Sequence, residues 1–396
     1  MASIKKRDNG KWRARYRDED GKEHARHFDR KTDAQTWIDQ QTASIVRGDW
    51  ADPKAGRETL RAYATRWEAL QVASEGTRRI TDNALRVHIL PTLGDRKIAS
   101  IRRSDVQAFV KALEAKEIRP ATDDLPARTL GAGSIRNIYE VLQRVLDAAV
   151  EDRVIATSPC RRIALPKDHD DEVEIPTVEE VEKVRAALDE RWRVIPVVLA
   201  GSGLRIGELL GLRVEDVDFL RKTIRVQRQR LQSNQVAPLK SKASRRTVPI
   251  GQVVVDALAA YLKDYNAATA PFGATAAEVA DGEAPDPARP LFVDELGDPL
   301  TYQRWKKLLA PAAVSAGVDL TSHSFRHFAA SALISGGASV KQVQAFLGHA
   351  SAVITLRTYS HLWPGDEDRT RNVLDAALDP FSARADSVRT EAASSE

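Results

Sequence analysis

Two hydrophobic periods divide the chain. A period of two runs through residues 1–28, and a period of 3.6 takes over from about Thr32. Asn9-Gly10 and Asp20-Gly21 are turn signals. Between them, Lys11-Trp12-Arg13-Ala14-Arg15-Tyr16-Arg17 alternates basic residues with aromatic and small ones. Residues 1–55 are therefore predicted to form three short strands and a helix, with Trp12, Tyr16, Phe28 and Trp37 as a small core. Residues 46–58 are turn-rich and read as a linker. From Thr59 to about Ala156 the pattern predicts four helices. The first places Leu60, Tyr63, Ala64, Trp67 and Leu70 on one side. The second begins near Glu75-Gly76-Thr77 and is expected to end before Pro91. The third takes Ser104 as its N-cap, and the fourth, GSIRNIYEVLQRVLDAAVEDRVI, is the clearest amphipathic helix. Residues 117–132 read as a loop.

The prolines and acidic run between Cys160 and Pro176 read as a second linker and hinge. Beyond it, TVEEVEKVRAAL is a capped helix with acids in its first turn. ERWRVIPVVLAGSGLRIGELLGL reads as two helices around a glycine-marked turn. RKTIRVQRQR and SRRTVPI alternate as strands of a small sheet, with the Lys240 segment as the turn between them. A helix, a low-complexity loop over 266–289 and further helices follow. A short amphipathic helix within 366–381 carries Val373, Leu374, Ala377 and Leu378, and the tail from Ser382 is polar and expected to be disordered. The domains expected are 1–55, 57–160, a hinge at 161–176, 177–381, and a tail at 382–396.

Composition narrows the class. At 396 residues, 42% hydrophobic and 29% charged, the chain suits a soluble protein of two or three domains. No stretch approaches a membrane span, and no apolar leader follows the first residues, so a cytoplasmic location is expected. One cysteine, Cys160, forbids an internal disulfide and a multi-cysteine zinc site. The net charge of +4 says little by itself, but residues 57–167 hold 20 Lys/Arg against 14 Asp/Glu. That imbalance suggests a cationic face for DNA. Lys11, Arg13, Arg15 and Arg17 form a second such face on one strand, able to lie in a DNA groove. The same pattern also serves a solvated edge guarded by charge.

The chemistry lies in separated motifs: Arg205 in GSGLRIGELLGL, Lys240 in PLKSKASRRTVPI, His323-Ser324-Phe325-Arg326-His327, His349 in FLGHAS, and Tyr359 in TLRTYSHL. Guanidinium groups suit a phosphodiester under attack, because they stay charged and offer a planar donor fork. A tyrosine hydroxyl is a poor nucleophile at neutral pH and needs such company. Four of the eight histidines fall between His323 and His361. His323 and His327 have i,i+4 spacing, but no glutamate stands between them as in HExxH, so zinc is not favoured. No P-loop and no cluster of carboxylates for two metals is present, and no cofactor is expected.

In order, spacing and flanking residues these motifs resemble the boxes of the tyrosine recombinases, the phage integrase family. The resemblance is strong over 177–365, general over 57–160, and marks 1–55 as an arm-binding module. It implies a multidomain, mainly α protein with small β-sheets: an N-terminal three-stranded module plus helix, a helical SAM-like core-binding domain, and an α+β catalytic domain. It implies Arg205 and Arg326 as phosphate clamps, and His323 and His349 as active-site histidines, with His323 able to help take the proton of Tyr359. Tyr359 becomes the nucleophile that forms a covalent 3′-phosphotyrosine. Lys240 is the hairpin lysine that protonates the leaving 5′-oxygen, with Lys242 as its alternative. Glu208 has a supporting role, orienting Arg205 or the histidines. His327 is expected to pack or bond internally, and His361 also ranks below the main set. Implied partners are double-stranded DNA with core-type and arm-type sites, three further copies in a homotetramer, and DNA-bending or directionality factors. The competing readings are a type IB topoisomerase and a non-catalytic DNA-binding regulator that kept the fold.

Overall fold

The computed structural model describes residues 2–18, 21–48, 50–52, 54–119, 128–167, 173–239, 241–266, 288–363 and 371–378. The expectations for Lys240, for most of the 266–289 loop and for the tail from Ser382 lie outside the described residues. The chain forms two units, 1–171 and 172–396. No helix among the described residues is long and apolar enough to cross a membrane.

The first unit opens with the predicted three strands: β1 (Ser3–Lys6), β2 (Trp12–Arg17) and β3 (Glu23–Phe28). They form an antiparallel sheet with β2 central, in registers such as Ile4↔Ala14 and Tyr16↔His24. Alternation puts Ala14 and Tyr16 inward, and Ala14 packs with Ala34 and Ile38 of α1 (Lys31–Arg47). α1 ends at Gly48, whose φ of 73° suits a residue without a Cβ. The segment 46–58 is more anchored than a linker. Trp50 is buried, its indole donates to Tyr16 Oη at 2.8 Å, and the Tyr16 ring stacks on His24.

The helices that follow are α2 (Leu60–Ala69), α3 (Glu75–Asn83), α4 (Leu90–Leu93), α5 (Arg103–Glu114) and α6 (Ala132–Glu151). Two boundaries differ from expectation. The helix begun by α3 does not stop before Pro91: it continues through a π-helical turn at Ala84–Ile89 into α4. Pro91 therefore lies inside a continuous helical run, where it has no N–H to give, and the wider π turn stands immediately before it. Ser104 is not the N-cap of α5. Arg102 holds that place, because Asp105 reaches back to accept from the Arg102 N–H at 2.8 Å. The 117–132 segment also carries a small ladder, β4 (Glu117–Arg119) with β5 (Arg128–Thr129). α6 runs through the core with Ile135, Leu142, Val145, Leu146 and Ala149 buried.

The second unit contains α7 (Val178–Ala186), α8 (Val194–Ser202), α9 (Ile206–Leu210), β6 (Val217–Asp218), β7 (Thr223–Val226), β8 (Arg228–Arg230), β9 (Val236–Pro238), β10 (Arg246–Pro249), α10 (Gln252–Tyr261), α11 (Tyr302–Ala316), α12 (Ser324–Ser335), α13 (Val340–Leu347) and α14 (Ala352–Tyr359). β10, β7 and β6 make one antiparallel sheet, and β8–β9 a separate hairpin. α8 is apolar nearly all round and buried. It packs between α10 and α12, with Ile195, Val198 and Leu199 beside Leu258 and Phe325 in one core. A smaller core gathers Ala330, Ile334, Val343, Leu347 and Tyr359. Residues 371–378 are helical, and Val373, Leu374 and Leu378 are exposed.

Candidate active site

Arg205 sits at the N-cap of α9, just after the left-handed turn at Gly203 (φ 60°). A Cβ at Gly203 would stand 2.8 Å from the Phe346 ring, so both backbone angle and close packing demand glycine there. Glu208, one turn into α9, accepts from the Arg205 backbone N–H at 3.1 Å and from its Nη1 at 2.9 Å. Its carboxylate is only 2% exposed. A second cation holds the other side: Arg246 of β10 donates from Nη2 to Glu208 at 3.0 Å and from Nε to the Phe346 carbonyl at 2.7 Å. Burial alone would raise the Glu208 pKa, but Arg246 and Arg205 hold it below the usual carboxylate range. Arg246 was not among the residues singled out from the motifs. The signal was indirect, since a buried carboxylate needs more than one exposed arginine to stay charged.

Arg326 lies on α12 and is 1% exposed. Its Nη1 donates to the Gly203 carbonyl and its Nη2 to the Leu347 carbonyl, both at 2.6 Å. Those bonds tie the turn before Arg205 to the end of α13. Burial, then the nearby Arg205, lowers the Arg326 pKa to about 9. Desolvating a guanidinium costs several kcal/mol by order of magnitude, so a charge held here without a full counter-ion is a stored demand for an anion. Three guanidinium groups, on Arg205, Arg246 and Arg326, share one carboxylate, Glu208.

His349 follows Gly348, another left-handed glycine (φ 67°), whose added Cβ would stand 3.0 Å from Arg246 Nη1. The His349 ring is buried and its Nδ1 bonds Thr355 Oγ1 at 2.9 Å. Burial first, then Arg326, Arg205, Arg246 and His323, lowers its pKa to about 4. These side chains, far apart in sequence, thus share one electrostatic neighbourhood. His323 precedes α12; its side of the site is more open, yet desolvation followed by Arg326 and Arg205 lowers its pKa too. A cavity of about 550 Å³ opens beside Arg205 and His323, walled by Ile206, Tyr302, Trp305 and Leu309.

Tyr359 ends α14 and is 1% exposed. Its hydroxyl bonds His327 Nδ1 at 2.8 Å. Burial raises the Tyr359 pKa, while Arg326 pulls the other way. His327 stands one turn after His323, their rings edge-on with centroids 4.6 Å apart. Burial, then His323 and Arg326, lowers the His327 pKa to about 4. His327 bonds internally, and its partner is the tyrosine of the motif set. The i,i+4 spacing that suggested a metal pair instead aligns two rings on the face of α12 toward Tyr359.

The turn that carries Lys242 borders the site: the Ala243 carbonyl would stand 3.2 Å from a Cβ at Gly348. Lys242 is exposed and starts a 3-10 turn over Lys242–Ser244, so it does not lie on a strand as an ideal extension of β10 would place it. Ser241 and Ser244 hydroxyls, 2.9 Å apart, close that turn against extended pairing. In the first unit, Lys11 pairs with Asp29, Arg13 and Arg15 with Glu23, and Arg17 donates to the Gly21 carbonyl.

The chain is similar to known proteins along most of its length. Residues 175–364 match the phage integrase family, residues 2–47 the phage integrase N-terminal domain, and residues 59–113 the phage integrase N-terminal SAM-like domain. It is 26% identical over 371 residues to the integrase of Mycobacterium phage L5, covering 90% of this chain and 92% of that one. It is 31% identical over 231 residues to the tyrosine recombinase XerC of Mycobacterium sp. (strain KMS), covering 54% and 67%. Among solved structures, the Tn1549 transposon integrase in complex with a circular intermediate DNA shares the fold, with a TM-score of 0.65 at 22% identity over 81% of this chain and 99% of that one.

Proposed function

This chain belongs to the phage integrase family of tyrosine recombinases, and we propose that its second unit cleaves and rejoins DNA through Tyr359 and the cations around it. It is a tyrosine-type site-specific recombinase. The observation that carries the assignment of residues is the surplus of buried guanidinium charge beside a buried phenol. A DNA phosphodiester brings one negative charge, and the transition state spreads more onto its non-bridging oxygens. Arg205 and Arg326 meet that charge with fixed donor forks that need no reorganisation. His323 and His349 add hydrogen-bond donors at the same phosphate. Glu208, held by Arg246, sets the orientation of Arg205.

In the reaction, Tyr359 Oη bonds to phosphorus and the bond from phosphorus to the 5′-oxygen breaks. The leaving oxygen takes a proton from the hairpin lysine, Lys240 or Lys242. A 3′-phosphotyrosine and a free 5′-hydroxyl result, and a 5′-hydroxyl from another strand reverses the step. The bond energy stays in the ester, so joining needs no nucleotide fuel. Exchange requires two duplexes cut on both strands, hence four copies, and the exposed apolar stripe on 371–378 suits contact between copies. The basic faces of the first unit would hold core-type DNA on the helices and arm-type DNA on β2, where Lys11, Arg13, Arg15 and Arg17 lie. DNA-bending or direction-setting proteins are further partners of this reading. The bacterial cytoplasm, where such DNA lies, is the proposed place of action.

The test uses DNA carrying sulfur in place of the bridging 5′-oxygen, which traps the covalent intermediate. The adduct should map to Tyr359 and vanish in Tyr359→Phe, while DNA binding persists. Adduct formation by the phenylalanine variant would overturn the nucleophile. No adduct with any DNA tested, together with binding, would favour the non-catalytic regulator; adduct and relaxation without exchange of paired sites would favour the topoisomerase.

A further inference from the structure

We propose that His327 is the group that accepts the Tyr359 proton during attack, in the place that motif order alone offered to His323. This rests on Tyr359 being the nucleophile. The geometry is direct: His327 Nδ1 lies 2.8 Å from Tyr359 Oη, within reach of the proton that must leave. The phenol is almost fully buried, so bulk water is poorly placed to take that proton. His323 neighbours His327, its ring edge-on at 4.6 Å. Arg326 bonds the Gly203 and Leu347 carbonyls and has no acceptor to offer.

The role requires one tautomer. To act as base, Nδ1 must accept the phenol O–H, so the neutral imidazole carries its proton on Nε2. As Oη bonds to phosphorus, the O–H proton passes to His327 Nδ1 and the ring becomes an imidazolium. The phosphodiester charge held by Arg326 and Arg205 favours that cation, offsetting the burial and neighbouring cations that disfavour it. When the ester is reversed, the same ring returns the proton to Tyr359. His327 thus touches the reacting atom, and His323 is left to the phosphate.

The test again uses the DNA with a bridging sulfur, whose leaving group needs no proton, so defects in lysine acid catalysis stay silent. His327→Asn keeps a hydrogen-bonding atom near the Nδ1 position but cannot take the proton. Single-turnover adduct formation should fall about 10²-fold or more, with DNA affinity retained. Replacing Tyr359 with 3,5-difluorotyrosine in that background should recover at least about tenfold, since a more acidic phenol needs less help. A His327→Asn rate within about threefold of the unmodified chain overturns the proposal, as does a slow variant that fluorination leaves slow, which would make His327 a packing residue. If His327→Asn loses DNA affinity, His327→Gln carries the same comparison. Tyr359→Phe runs alongside: adduct without the phenol would sink the nucleophile itself, whereas its absence there together with a fast His327→Asn would sink only the inference about His327.

Discussion

Arg13 and Arg15 of β2 and Arg326 of the second unit are the same side chain in opposite settings. Arg13 and Arg15 are exposed enough to be solvated, and both lean on one surface carboxylate, Glu23. Such pairs are worth roughly 0–1 kcal/mol and exchange easily for a phosphate. Arg326 has almost no exposed surface, and two of its N–H donors are held by backbone carbonyls that fix its plane. Under the proposed function the exposed set supplies affinity that is graded, additive and sensitive to salt, and Arg326 supplies a fixed field at one point. Arg205, 41% exposed against 36% for Arg13, is held by its bond to the buried Glu208 carboxylate and not by its own burial.

Substitutions can break that contrast. Arg326→Lys keeps the charge but loses the fork that joins Gly203 to Leu347. Adduct formation should drop by ~10²–10³-fold with DNA binding little altered, as measured by single-turnover trapping and gel shift. A loss in affinity equal to the loss in rate would put Arg326 with the exposed class. Arg13→Ala with Arg15→Ala should act more weakly and on a different quantity. Binding to DNA containing both site types should fall modestly, and the slope of log affinity against log salt should become shallower by about 2. An unchanged slope would return β2 to the role of a charge-protected edge.

Much of the fold was legible because period and punctuation agreed. Asn9-Gly10, the alternation of β2 and the long amphipathic pattern of α6 each point one way, and the elements follow. Errors came where one local rule outweighed a longer-range one. Pro91 looked like a stop, yet the helix passes through it, with a π-helical turn just before the proline. Ser104 looked like a cap, yet Asp105 makes the bond that closes the α5 start. At the site, motif order implied that Arg205, Arg326, His349 and Tyr359 meet, since charges in apolar settings need a shared reason. What stayed hidden was pairing. Nothing local in SRRTVPI says that Arg246 reaches across to Glu208. Nothing in the His323–His327 spacing says which ring the phenol selects. Both depend on contacts between elements 32 or more residues apart.

The central claim is that one chain holds both the phenol and the cations that serve the same phosphate. Mixing Tyr359→Phe with Arg326→Lys protein tests it, because each lacks one half of the site. If Tyr359 attacks the phosphate held by its own Arg326, every site in the mixed assembly is defective, and trapped adduct stays at the level of the separate variants. Adduct restored toward a sizeable fraction of the unmodified level would show that the tyrosine reaches into a neighbouring copy, contradicting a site built within a single chain.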